Sequence, residues 1–208
     1  MSPPYAIQYF PIKARAELIR LVLEAAGVPY ENKAPNWPAD KEVAPFGQLP
    51  LLHFKDDAGH DTVLAQSMAI VRYLSKKHGL VPKDEIQAAI VDSVTESIAE
   101  TAAALTNIMF RLSDADKPAA KEKLATETIP AFIKAHTQLL EKNGNNGHYS
   151  GNSITYADLA LFNLIFAIHG LIPDAFTETT APALVKVYKT VEEHPNIKAY
   201  LASPRRFK

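Results

Sequence analysis

No cysteine occurs among the 208 residues, which excludes disulfides, a protein thiolate nucleophile and thiolate-ligated zinc. Its absence agrees with a reducing compartment. An excess of one charge is missing too: 22 Lys and Arg stand against 23 Asp and Glu, a net charge of -1. Proteins that bind nucleic acid usually carry a basic surplus, so no nucleic-acid partner is expected. The strongest basic stretches, "KARAELIR" and "SPRRFK", are short and read as helix-end and tail charges. No run approaches the ~18 apolar residues of a spanning helix. The first residues also lack the basic start and apolar run of a secretory signal. The expectation is a cytoplasmic protein with no membrane partner. Seven histidines are scattered without a ligand spacing such as H-E-x-x-H, so metal is expected to be absent. Glycine-rich phosphate loops and the G-x-S-x-G turn are lacking as well.

What is present is enough for a packed protein. A 47% apolar content supplies a core, and 22% charged residues give an ordinary solvated surface. The length suits one large domain or two small ones. The first eighty residues mix two periods. "AIQYF" reads as a strand, followed by a helix over 14–26 with Leu18, Leu21, Val22 and Ala25 on one face and Gly27 as a left-handed stop. "YENKA" is a second short strand. "LPLLHF" (49–54) and "TVLA" (62–65) form a hairpin around "KDDAGHD", and "QSMAIVRYLSKKHG" is a helix ending at Gly79. The order βαβ then ββα predicts a mixed sheet with helices packed on it.

From residue 84 only helical patterns follow, over 84–113, 118–142, 155–168, 182–193 and 196–202. The predicted fold class is therefore an α/β domain over 1–80 and an all-α domain over 84–208. In "SITYADLALFNLIF", Thr155 and Asp158 have the spacing of a capping box with a carboxylate at its third position. An N-cap contributes about 1 kcal/mol, and the apolar run after it reads as the core helix of the second domain.

Two positions carry chemistry. Tyr9 stands at the first strand–helix crossover, where open α/β units bind ligands. It is either a packed aromatic or a proton-sharing group aimed at a ligand. Pro50 stands just before a central-looking strand, where proline removes a ladder donor. A plain trans turn is one reading. The other is a cis Leu49–Pro50 bond that turns the Leu49 backbone outward, able to pair with an extended peptide.

The chain closely resembles the cytosolic glutathione transferases of the tyrosine type, especially the pi and sigma classes. The likeness runs over essentially the full length, through "PPYAIQYFPIKARAELIRLVLEAAGVPY", "PFGQLPLL", "LAQSMAIVRYL", "SITYADLALF" and "NIKAYLASP". It implies a thioredoxin-like domain followed by a helical one that contributes the electrophile pocket and dimer contacts. A thioredoxin dithiol would fall near residues 9–12, where this chain has no sulfur, so the co-substrate glutathione supplies the thiol.

The resemblance also implies roles. Tyr9 falls at the catalytic tyrosine, donating a hydrogen bond to the glutathione sulfur rather than acting as a base, and Arg15 adds positive potential. Leu49, ahead of a cis Pro50, would hold the cysteinyl backbone. Gln66 and Ser67, with Gln48 nearby, would receive the γ-glutamyl end at a helix start. Trp37 and Lys41 match the groups that hold the glycyl end, although Trp37 could simply cover a neighbouring helix. Glu100 stands where the family has an aspartate that reaches the partner subunit's glutathione. Phe10, Ile12 and Phe110 match positions lining the electrophile pocket, which Phe207 would approach from the tail, with core packing the alternative for each. Phe46 matches an aromatic anchor of a homodimer. The expected function is conjugation of glutathione to soft hydrophobic electrophiles, in detoxification. The alternatives are sigma-type isomerisation or peroxide reduction, and a non-enzymatic ligand carrier or structural protein.

Overall fold

Tyr5–Gln8 (β1), Tyr30–Lys33 (β2), Leu51–Lys55 (β3) and Asp61–Ala65 (β4) make one four-stranded sheet in the order β2-β1-β3-β4. This computed structural model describes residues 3–207. β1 runs parallel to β2 and antiparallel to β3, which pairs antiparallel with β4. The parallel pair needs a crossover, supplied by a short 3₁₀ turn, Ala14–Ala16, and α1, Glu17–Ala25. Ile19, Leu21, Val22 and Leu23 of α1 are buried, as are Ile7 of β1 and Leu52 of β3 directly across from it. Helix α2, Ser67–Lys77, buries Ile70, Val71 and Leu74. The sheet with its flanking helices is the thioredoxin-like arrangement expected for this part of the chain.

Gly27 does end α1. Its φ is +66°, and the Val28 N–H reaches back to the Leu23 carbonyl at 2.9 Å, satisfying an orphan acceptor of the last turn. A Cβ at Gly27 would also lie 3.2 Å from the Asn196 side chain.

The chain divides into two units: residues 1–80 with 194–208, and residues 81–193. The final helix, Pro195–Leu201, thus belongs to the first unit, whereas the helical periodicity of the sequence grouped it with the second. Tertiary contact explains the difference. Ile197 and Tyr200 are fully buried, and the Tyr200 hydroxyl reaches Glu17 of α1. A periodic pattern reports that a helix has a buried face, not which core receives it.

The second unit is all helical. Its helices are α3 (Glu85–Phe110), α4 (Lys117–Lys123), α5 (Ile129–Lys142), α6 (Tyr156–His169) and α7 (Pro182–Glu193), which makes the helix after it α8. Asp84 caps α3 by accepting the Gln87 N–H at 2.8 Å. The sequence reads as one helix over 118–142, but a π turn over Leu124–Thr128 separates α4 from α5. Pro130 has no N–H for the Thr126 carbonyl, and the Ile129 N–H bonds five residues back to Leu124 instead. Helix α6 is apolar on nearly every side and forms the centre of the unit. Its start has the expected box: the buried Asp158 carboxylate accepts the Thr155 N–H at 2.7 Å and the Thr155 hydroxyl at 2.9 Å. Asp158 also accepts the Tyr149 N–H at 2.9 Å, and its burial raises its pKa.

Candidate active site

β1 ends at Gln8, and Tyr9 follows with its backbone N–H still donating to the Lys33 carbonyl at 3.1 Å. Tyr9 is half-buried just past the carboxyl end of β1, beside its parallel neighbour β2. It meets the Phe10 ring edge-on at 5.6 Å between centroids, and Phe10 meets Trp37 at 6.1 Å. Tyr9, Phe10 and Trp37 therefore form a continuous aromatic run.

Arg15, Gln48, Leu49, Pro50, Ala65, Gln66 and Ser67 line one small depression. Three separate segments meet there: the 3₁₀ turn after β1, the approach to β3 and the junction of β4 with α2. The Leu49–Pro50 bond is cis, as is Trp37–Pro38. Pro50 is buried while Leu49 stays half-exposed beside a small cluster of Ala44, Leu51 and Ala65. Gln66 has φ +71° and ψ 114°, a left-handed conformation that costs a non-glycine residue energy and is held only where the surroundings fix it. It breaks the β4 direction and starts α2, whose first backbone bond is Ile70 N–H to the Gln66 carbonyl at 3.0 Å. The Gln66 side chain does not cap the helix and instead reaches toward Gln48 at 3.5 Å. Ser67, the first residue of α2, lines the depression, and the amino end of a helix dipole favours an anion.

The loop that carries Arg15 rests on a buried arginine that sequence reasoning did not single out. Arg20 is fully buried in α1, and its Nη1 donates to the carbonyls of Ile12 at 3.0 Å and Lys13 at 3.4 Å. Its Nε donates to Asn32 at 2.8 Å, and Nη1 also pairs with Glu17 at 3.1 Å. A buried guanidinium must be paired and hydrogen-bonded, so Glu17 and the loop carbonyls are fixed together. Burial, and then the nearby Arg206 charge, lower the pKa of Lys13. An arginine on the core face of an apolar helix was the available signal.

The remaining expected site residues are scattered more widely. Lys41 is exposed and runs beside Gly47, where a Cβ would lie 3.6 Å from its side chain. Phe10 and Ile12 are exposed over 37% and 43% of their surfaces. The ring of Phe207 covers the Arg20 guanidinium at 4.5 Å. Glu100 and Phe110 are exposed on α3 of the second unit, and Phe46 is exposed in the first. Among the described residues, no group of three or more His, Asp or Glu could hold a metal ion, and no helix is long and apolar enough to cross a membrane.

A thioredoxin-like unit with a tyrosine after its first strand, and an all-helical unit following, define a class of glutathione-using proteins. Comparison with known sequences agrees. Residues 6–76 match the family model of the glutathione S-transferase N-terminal domain, and residues 99–204 that of the C-terminal domain. Glutathione S-transferase 1 of Ascaris suum is 37% identical, with 96% of each chain covered. The sigma class transferase of Fasciola hepatica superposes with a TM-score of 0.85 at 27% identity, over 98% of this chain and 99% of the other. The prostaglandin synthase D of Nilaparvata lugens gives 0.83 at 25% identity, over 97% and 98%. This chain belongs to the glutathione S-transferase family and is a transferase.

Proposed function

We propose that this protein conjugates the glutathione thiolate to soft hydrophobic electrophiles in the cytoplasm, working as a homodimer in detoxification. The gathering of Arg15, Gln48, Leu49, Pro50, Gln66 and Ser67 around one depression at the start of α2 is the observation that carries the reading. The γ-glutamyl carboxylate sits on the α2 N-terminal amides with Gln66 and Ser67, and Leu49 takes the cysteinyl main chain. Trp37 and Lys41 hold the glycyl carboxylate. That pose directs the sulfur to the end of β1, toward the Tyr9 hydroxyl.

The chemistry asked of Tyr9 is small and sufficient. A free thiol titrates near ~8.5 and is mostly protonated at pH 7. A hydrogen bond to a charged acceptor is worth roughly 1.5–3 kcal/mol, and one pKa unit about 1.4 kcal/mol. The Tyr9 hydroxyl, donating to the sulfur, therefore lowers the thiol by about one or two units. Arg15 favours the same anion through its field.

Replacing Tyr9 by Phe tests this directly. Glutathione binding should persist, turnover at neutral pH should fall, and the thiolate absorbance of the bound ligand should titrate about one or two units higher. An unchanged titration removes Tyr9 from the role. A second reading, sigma-type isomerisation or peroxide reduction with the same thiolate, draws support from the likeness to an insect prostaglandin synthase D. Steady-state rates with aryl halides, enals, hydroperoxides and an endoperoxide separate the two.

A further inference from the structure

Gln8 is the last residue of β1, immediately before Tyr9, and only 5% of it is exposed. A buried primary amide needs partners at both ends. The Gln8 Nε2 donates to Asp40 Oδ2 at 2.6 Å, and Gln8 Oε1 lies 2.7 Å from Nε2 of His53, its diagonal neighbour on β3. A carboxylate offers only acceptors, so the amide must turn its NH₂ to Asp40 and its oxygen to His53. His53 then carries a hydrogen on Nε2. Burial, followed by Lys33, lowers the His53 pKa, which makes the ring the neutral Nε2–H tautomer at pH 7. Each group in the chain has one orientation.

At its far end the chain grips a turn. Asp40 Oδ2 also accepts the Asn36 N–H at 2.8 Å, while the Asp40 N–H donates to the Asn36 carbonyl at 2.9 Å. The Lys41 N–H donates to the Pro38 carbonyl at 2.9 Å. Residues 36–41 thus close on themselves, with Trp37 and Lys41 projecting from the same turn that Asp40 ties to the sheet.

We propose that Gln8 is a positioning residue for the glycyl end of glutathione: through Asp40 it fixes the turn that presents Trp37 and Lys41. The proposal rests on the reading that these two residues hold the glycyl carboxylate. A pre-ordered turn loses less freedom when it binds, so the strut acts on affinity and not on the sulfur.

Gln8→Met keeps the length of the side chain and removes both hydrogen bonds. Calorimetry on wild type, Gln8→Met and Lys41→Ala, each with glutathione and with γ-glutamylcysteine, isolates the effect because the second ligand has no glycine. Gln8→Met should weaken glutathione about tenfold, equivalent to about 1.4 kcal/mol, while γ-glutamylcysteine binds as in wild type. In turnover, KM for glutathione should rise more than kcat falls. Unchanged glutathione affinity, or equal weakening of both ligands, overturns the strut when Lys41→Ala still loses its preference for glutathione. If Lys41→Ala keeps that preference, the glycyl placement itself falls and the proposal falls with it.

Discussion

Tyr200 in α8 donates its hydroxyl hydrogen to the carboxylate of Glu17 in α1, at 3.2 and 3.3 Å from the two oxygens, across 183 positions of the chain. Both side chains are buried. Burial, and then the Glu17 charge, raise the Tyr200 pKa, so the phenol stays a donor throughout the ordinary pH range. Glu17 also balances Arg20, which holds the loop before Arg15.

Tyr200→Phe should therefore destabilise the protein by about 1.5–3 kcal/mol, the worth of a hydrogen bond to a charged group. Glu17→Ala should cost more, about 3–5 kcal/mol, because it leaves Arg20 buried without its counter-charge. Urea midpoints measure both, and a Tyr200→Phe midpoint equal to wild type would detach α8 from this role.

Ser67→Ala and Gln66→Ala should each weaken glutathione binding by roughly 0.5–1.5 kcal/mol, a few-fold to about tenfold. The thiol titration of bound glutathione should not move, since the proposed contacts are at the other end of the tripeptide. Unaltered affinity in both variants, by calorimetry, would sink the γ-glutamyl placement at α2.

Phe46 exposes 64% of its surface. Burying such a ring in a partner is worth about 1.5–3 kcal/mol per copy, and a two-fold dimer makes the contact twice. In the proposed homodimer, Phe46→Ala should thus dissociate at higher concentrations than wild type, with activity per chain falling through loss of the proposed Glu100 contribution to the neighbouring site. Sedimentation equilibrium paired with activity across dilution tests it. A variant that stays dimeric at wild-type dilutions rules out the anchor, and a fully active monomer rules out the shared site.

His136 is buried in α5, stacked on Phe132 at 3.8 Å, with the Tyr149 hydroxyl 2.6 Å from Nδ1 and Ser97 Oγ 3.2 Å from Nε2. Burial lowers its pKa to about 4. The folded value lies below the unfolded value of ~6.5, so the neutral ring contributes stability that is complete above that value. As the pH falls from ~6.5 toward 4 the unfolded chain takes up a proton first, and about 3 kcal/mol is lost. Denaturant midpoints should decline through this window, and His136→Gln should remove that part of the slope. An identical slope in the variant would assign the decline to other groups.

Much of this molecule was fixed by local sequence. Period-2 and period-3.6 patterns set the strands and helices, because a buried face must recur at the repeat of its element. Gly27 and the Thr155–Asp158 pair ended and began helices through bonds spanning only a few residues. Tyr9 could be placed at the crossover for the same reason, since strand end and helix start are chain neighbours. Tertiary structure alone decided which polar groups share a desolvated space. Nothing near Gln8 in the chain indicates Asp40 or His53, and nothing near Glu17 indicates Tyr200. The same holds for Arg20, whose carbonyl partners at Ile12 and Lys13 count only once the helix is packed. A buried amide, carboxylate or guanidinium requires a partner, but only the folded path of the chain determines which residue arrives to meet it.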